Sequence, residues 1–399
     1  MPRLALLDGH SLAYRAFYAL PPDLATPDGR PTNAVFGFTS MVIKLLGDEH
    51  PEAMAVAWDT PEPTFRDAAF AAYKATRKAA PDLFRQQLPL IDEVADCLGM
   101  RQFRVPGYEA DDVIATVARR AAQEGWEVLV GTGDRDAFQL VGGPIRVVYT
   151  RRGISDTVMA DTAWVEERYG VKPAQYPDYA ALRGDTSDNL PGVPGVGEKT
   201  AARLVAGYGG LEGIYEHLAD HPPRLRESLE AAREQVMLNR RLTYLREDAP
   251  VEAEPEDLRL LPWDTARVRR VFEGLAFRPM WQRLQELGGG GDAAGGRVLG
   301  VEVVAVPDAA ALVQGAQLLA LEPVWEGGSL AGLAVAREGD RVAYVPAARL
   351  GELSEALADP AVPKALHDAK PLTRALLEAG GDLAGLACDT ALAGYLVNP

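Results

Sequence analysis

The chain has 399 residues, 47% of them hydrophobic and 25% charged, which allows about two or three domains with ample cores and excludes a disordered or membrane-embedded protein. No apolar run approaches the length a bilayer requires. Asp8 interrupts the first apolar stretch before a secretion signal could form, so a cytoplasmic protein is expected. The formal net charge of −16 would by itself argue against a nucleic-acid partner. Its distribution removes that objection. Residues 1–287 carry 34 Lys and Arg against 43 Asp and Glu, and nine of those acids form the cluster described below. The remaining surface of that part is neutral on balance and can hold basic patches. Cys97 and Cys388 stand too far apart for a disulfide framework or a zinc site, and both are expected to be buried.

In chain order, the apolar runs Leu4–Leu7, Met54–Trp58 and Val128–Val130 alternate with helical patterns, each bounded by polar or turn residues. Buried parallel strands joined by helices read this way, so the fold class is α/β with a mostly parallel sheet and flanking helices. Residues 1–165 form this core, with a basic segment over about 61–90 inside it. Residues 166–287 read as a helical subdomain. Gly288–Gly296 has the composition of a flexible linker. Beyond it, 297–306, 331–336 and 341–345 read as strands and 308–321 and 369–380 as helices, giving a second, smaller α/β unit over 297–399.

Each strand run of the first part leads into an acid: Asp8 after Leu7, Asp59 after Trp58, and Asp134 and Asp136 just after Val130. The carboxyl ends of parallel strands line one crevice, which is where open α/β folds bind ligands. Glu109, Asp111 and Asp112 open a helix, with Glu109 and Asp112 on one face. Asp185 and Asp188 repeat that spacing before a Pro/Gly turn. So many carboxylates in one crevice raise one another's pKa unless cations intervene. Oxygen-only ligands suit two Mg²⁺ or Mn²⁺ ions, the usual device for phosphodiester hydrolysis. Singly, each acid has an ordinary reading as a turn, helix-start or solvated loop residue.

The stretches 7–17, 73–77, 109–113, 132–136 and 184–201 together resemble the N-terminal 5'-nuclease domain of bacterial DNA polymerase I, in order, from residue 4 to about 287. The resemblance implies a PIN/FEN-like nuclease fold followed by a helix-hairpin-helix-type element. It implies that Asp8, Glu109, Asp111, Asp112, Asp134, Asp136, Asp185 and Asp188 bind the catalytic metals, with Asp59 as a ligand or close neighbour. The basic segment corresponds to a helical arch through or past which a single 5' strand runs. Lys74 and Arg77 would contact the reacting phosphate, Arg15 and Lys78 would bind DNA, and Tyr73 would either stack on an unpaired base or lie in the core. Gly192, Gly195 and Gly197 form a turn feeding a helix N-terminus, where backbone N–H groups can grip a duplex phosphate. Thr200, Lys199 and Arg203 extend that grip, and the family often holds a K⁺ ion at 192–200. The implied substrates are flap, nicked or 5'-ended duplex DNA and RNA-DNA primers, cut by a monomer during replication and repair.

Residues 298–399 are similar to the start of the RNase H-like 3'-5' exonuclease domain that follows in polymerase I. Where proofreading members carry catalytic aspartates, this chain has Ala320 and Leu372, so no proofreading is expected. Asp389 reads as a structural helix-start residue. Two other function classes compete: an aspartyl phosphatase built on Asp8, which usually has a second carboxylate where His10 stands, and a DNA-junction binding module without catalysis.

Overall fold

The computed structural model describes residues 1–287, 302–304, 313, 315–337 and 341–397. The chain divides into two compact units, Met1–Gly295 and Gly296–Pro399. The expected linker, 288–296, lies outside the described residues.

In the first unit, β1 (Arg3–Asp8) is followed by α1 (Gly9–Ala19), α2 (Asn33–Glu49) and β2 (Ala53–Trp58). Two short helices, α3 (Phe65–Ala69) and α4 (Asp82–Arg85), precede α5 (Leu88–Cys97) and β3 (Arg101–Arg104). Then come α6 (Ala110–Gln123), β4 (Glu127–Thr132), β5 (Ile145–Arg152) and β6 (Asp156–Ala160). The sheet order is β3-β2-β1-β4-β5-β6, parallel except for the antiparallel edge strand β6. The apolar runs are uninterrupted because both sheet faces are covered. Leu4 and Leu6 of β1 enter a core with α6, while Ala5 and Leu7 enter another with α1, α2 and α5. Strand order reverses at β1, whose neighbours are β2 and β4, so the crevice at a switch point lies between the ends of β1 and β4.

The helical stretch comprises α7 (Thr162–Tyr169), α8 (Tyr176–Arg183), a small hairpin of β7 (Gly184–Asp185) and β8 (Leu190–Pro191), then α9 (Glu198–Tyr208), α10 (Leu211–Glu216), α11 (Pro223–Ala231), α12 (Arg233–Thr243), α13 (Thr265–Gly274) and α14 (Arg278–Glu286). Leu204, Ile214, Leu229 and Val236 of α9 to α12 share the α6-side core. The last two helices do not join them. Val268, Phe272, Met280 and Leu284 of α13 and α14 cross to the α2 and α5 side of the sheet, so 166–287 wraps the core instead of standing apart. The basic segment is not one helical arch: residues 71–76 are turns between α3 and α4, and Lys74 has a left-handed φ of 52°.

The second unit is a six-stranded mixed sheet of β9 (Glu302–Val304), β10 (Leu319–Glu326), β11 (Ser329–Ala336), β12 (Arg341–Pro346), β13 (Lys364–Leu366) and β14 (Leu386–Asp389), in the order β14-β13-β10-β11-β12-β9. Of the helix expected over 308–321, residues 308–312 and 314 lie outside the described residues, while 315–318 are turn and loop and 319–321 open β10, paired with β11 and β13, so the helix expectation fails over 315–321. A helix does follow at Ala369–Glu378, as expected. Cys97 is buried, but Cys388 is exposed, contrary to expectation. It stands on β14, one of the two edge strands of this sheet.

Candidate metal and DNA site

Asp8 ends β1 and caps α1: its Oδ1 accepts from Ser11 N at 3.0 Å and its Oδ2 from Thr132 Oγ1 at 2.9 Å. Burial, with Asp59 and Asp134 nearby, pushes its pKa up to about 7 against those two hydrogen bonds. Asp134 folds back on its own loop, its Oδ1 accepting from Asp136 N at 3.0 Å, and burial raises its pKa. Asp136 is raised well above the usual range by burial and then by Asp134, Asp188 and Asp185. Asp111, on the first turn of α6, is raised likewise by burial and by Asp8, Asp134, Asp59 and Glu109. Its Oδ1 is buried without a hydrogen-bond partner. These four acids come from the ends of three elements; Asp134 raises each of the other three, and among the described residues none of the four has an ion-pair partner.

The other acids are compensated by the chain itself. Glu109 caps α6 and accepts Lys74 Nζ at 2.8 Å. Burial lifts its pKa, while Lys74 and Arg66 pull the other way. Asp188 accepts Arg77 Nη2 at 2.6 Å and the Tyr73 hydroxyl at 3.1 Å. Burial disfavours charge on Lys74 and Arg77, but Glu109 and Asp188 outweigh it and hold both pKa values above the ordinary range. Asp185 accepts the Ser187 N–H and hydroxyl at 2.7 and 2.6 Å. Asp59, half exposed, accepts Ala110 N at 2.8 Å and gives its own N–H to His10 Nδ1 at 3.2 Å. Burial lowers the His10 pKa, which fits a neutral ring with an accepting Nδ1.

Asp112 departs from the metal-ligand expectation. It is fully buried, and its two oxygens take Arg66 Nη1 and Nη2 at 2.6 and 2.8 Å, Glu109 N at 3.1 Å and Arg246 N at 2.9 Å. With four donors in place it is a structural clamp. Arg66, which sequence reasoning passed over inside the basic segment, completes that clamp by donating to Leu242 O at 2.7 Å. Tyr73 also resolves to the core: its ring is buried with Leu190 and Leu242, and its hydroxyl lies between Glu109 and Asp188. It has no free face for a base. Thr132 and Ser11 were missed as well, although both flank recognised acids.

Among the described residues, no three of these acids meet in a ready-made coordination cage. The donor set nonetheless fits hard cations: oxygen ligands only, four carboxylates whose pKa values burial raises and an orphaned carboxylate oxygen.

On the DNA side, Lys78 is exposed, and Arg15 donates to Arg151 O at 2.9 Å beside Gly133. The glycine turn runs from β8 into α9. A Cβ at Gly192 would lie 2.1 Å from Arg183 O, so the turn passes against α8 only because it carries none. Gly195 has φ +85°, and Gly197 caps α9. Lys199 and Arg203 are both exposed and one turn apart on α9, while Thr200 N bonds Gly197 O at 3.1 Å.

In the second unit, Ala320 stands on β10 and Leu372 is fully buried in the helix 369–378. Asp389 accepts from the N–H groups of Asp368, Ala369, Ala391 and Leu392, serving two helix starts, which lowers its pKa.

Residues 3–170 match the model of the 5'-3' exonuclease N-terminal resolvase-like domain, and residues 171–266 that of the 5'-3' exonuclease C-terminal SAM fold. DNA polymerase I of Mycobacterium tuberculosis is 44% identical over all of this chain and 46% of its own length, and DNA polymerase I of Bacillus caldotenax is 36% identical with the same coverage. The chain thus spans about half the length of these curated relatives. The fold matches a bacteriophage T5 flap endonuclease at a TM-score of 0.51 and 18% identity, covering 71% of this chain and 97% of that one. With both 5'-3' exonuclease domain models matched in tandem over residues 3–266 and DNA polymerase I homologues aligned along its whole length, the chain belongs to the 5'-3' exonuclease family.

Proposed function

We propose that this chain is a structure-specific 5' nuclease that uses Mg²⁺ or Mn²⁺ to hydrolyse phosphodiester bonds at 5' flaps and 5' ends of duplex DNA and RNA-DNA primers. The observation that carries this is the group of four carboxylates without an ion-pair partner among the described residues, Asp8, Asp111, Asp134 and Asp136, at the carboxyl edge of the sheet beside Lys74 and Arg77. Those four are the proposed primary metal holders, with Asp59, Glu109, Asp185 and Asp188 as further ligands. Bound divalent cations would supply hydroxide at neutral pH and charge stabilisation at the phosphate. Water attacks phosphorus and the bond to the 3' oxygen breaks, leaving 5'-phosphate and 3'-hydroxyl ends.

The chain's own residues bind and orient. A scissile phosphate competes with Glu109 for Lys74 and with Asp188 for Arg77, so docking DNA would release both carboxylates to the crevice. Lys199, Arg203 and the Gly192–Gly197 turn would hold duplex backbone without reading sequence, with a K⁺ ion proposed at 192–200. The bacteriophage T5 flap endonuclease of the same fold was crystallised with DNA and metal ions, which supports this reading. Ala320 and the buried Leu372 leave the second unit without the carboxylates a 3' exonuclease needs, so no proofreading is proposed. No helix among the described residues is long and apolar enough to cross a membrane, and a cytoplasmic monomer is the proposed state. A phosphatase centred on Asp8 is disfavoured because His10 spends Nδ1 on the Asp59 N–H.

The test is cleavage of a 5'-labelled flap substrate with Mg²⁺ or EDTA, by the wild type and by Asp134→Ala. Cutting near the junction that requires both Mg²⁺ and Asp134 is expected. Tight binding without cutting would point to a binding module instead.

A further inference from the structure

Beside the crevice lies an open groove lined by Tyr14, Arg15, Tyr18, Arg77 and Arg152, together with Ser11, whose N–H donates to the Asp8 carboxylate. Among the described residues no acid lines it, an exception in a chain with 57 Asp and Glu against 41 Lys and Arg. The aromatic side chains form a ladder. Buried Phe84 stacks on Tyr14 with ring centroids 4.0 Å apart, and Tyr14 stands parallel to Tyr18 at 6.3 Å and 9°. The ladder ends on Tyr18, which is 72% exposed. An aromatic ring anchored to the core at one end and open to water at the other presents a flat face to a planar ligand. Arg15 is fixed beside it by Arg151 O, and its guanidinium occupies the space a side chain at Gly133 would fill. Arg152, at the end of β5, is exposed.

An exposed aromatic platform among arginines, with no carboxylate, fits a single nucleic-acid strand: the bases stack and the phosphates meet cations, independent of sequence. We propose that this groove holds the unpaired 5' strand next to the crevice, with a base on Tyr18 and phosphates on Arg15 and Arg152. This rests on the nuclease reading and adds to it the track that distinguishes a flap from a flapless nick.

The test uses the full chain in EDTA, so that binding is read without cleavage, and fluorescence anisotropy on labelled nicked duplexes with and without a short 5' flap. Tyr18→Ala should weaken flap binding about tenfold and leave the flapless duplex unchanged, while Tyr18→Phe should restore the flap affinity. Arg152→Ala should lower the salt slope of flap binding by about 0.7. Unchanged flap binding by Tyr18→Ala overturns the proposal. So does an equal loss on both substrates, which would make the groove a duplex contact or a folding element. If Tyr18→Ala binds flaps normally while the wild type still cuts them with Mg²⁺, the groove assignment alone fails. A wild type that neither binds nor cuts a flap overturns the nuclease reading and this inference together.

Discussion

Replacing Arg66 with methionine tests how the site is braced. Arg66 is 1% exposed and Asp112 is fully buried, so the substitution strands a carboxylate in the interior with only the Glu109 and Arg246 N–H groups for partners. It also removes the donor to Leu242 O. Breaking a buried pair by deleting one partner costs about 3–5 kcal/mol, a large share of the ~5–15 kcal/mol that holds a domain together. Lysine keeps the charge but not the two-pronged geometry, so Arg66→Lys should recover only part of the loss. Asp112→Leu added to Arg66→Met should relieve the stranded charge yet leave two N–H groups unpaired, and so stay below wild type. The assay is urea unfolding followed by tryptophan fluorescence, with the transition midpoint read for each variant. If Arg66→Met costs less than about 1 kcal/mol, the pair behaves like a surface ion pair and the bracing argument is wrong.

Two further expectations concern the crevice and the turn. The folded pKa of Asp8, about 7, lies above its ordinary 3.8, and Asp111, Asp134 and Asp136 are raised too. The native state then keeps protons that the unfolded chain releases, so this contribution is complete below the unfolded pKa and lost as pH rises through about 7. In EDTA the melting temperature should therefore be higher near pH 5.5 than near pH 7.5, and Mg²⁺ should remove the difference; a steady rise with pH in EDTA would contradict this. For the turn, Gly192→Ala places a Cβ 2.1 Å from Arg183 O and should cost about 3 kcal/mol or more. Gly197→Ala meets open space and has an ordinary φ of −97°, so it should change stability little. Equal thermal shifts for the two would refute the close-approach argument.

The sequence carried β1, β2 and β4 clearly, because strands buried on both faces read as unbroken apolar runs ended by acids; β3, β5 and β6 did not read as strands, since exposed or half-buried residues interrupt them. The crevice followed from that, since an acid directly after a strand can only lie at its carboxyl edge. What was not legible depended on partners distant in sequence. Asp112 differs from Asp111 by one position, yet one is saturated by Arg66 and a loop near residue 246 while the other keeps an orphaned oxygen. No local pattern encodes that difference, because it is set by which side of α6 faces the core. The shape of the basic segment was hidden for a related reason: Lys74 and Arg77 have carboxylates to meet, and turns with a left-handed residue between two short helices bring them there. The crossing of α13 and α14 to the far side of the sheet was equally hidden, since an amphipathic helix shows that it has a core face but not which core.

Net charge gave no guidance about the partner because the chain sorts its acids locally. Arg66, Lys74 and Arg77 all come from one short segment, and each makes its shortest ion pair with a different carboxylate: Asp112, Glu109 or Asp188. The first of these pairs is sealed, its arginine 2% and its aspartate 0% exposed, so it braces the fold whatever binds. The other two are open to solvent on their basic side, Lys74 at 25% and Arg77 at 47%, so an incoming anion can reach them. Segment 65–77 therefore has a fixed end and an exchangeable end. On the nuclease reading, the exchangeable end is where a phosphate would be recognised, and the four acids without an ion-pair partner among the described residues are where cations would be held.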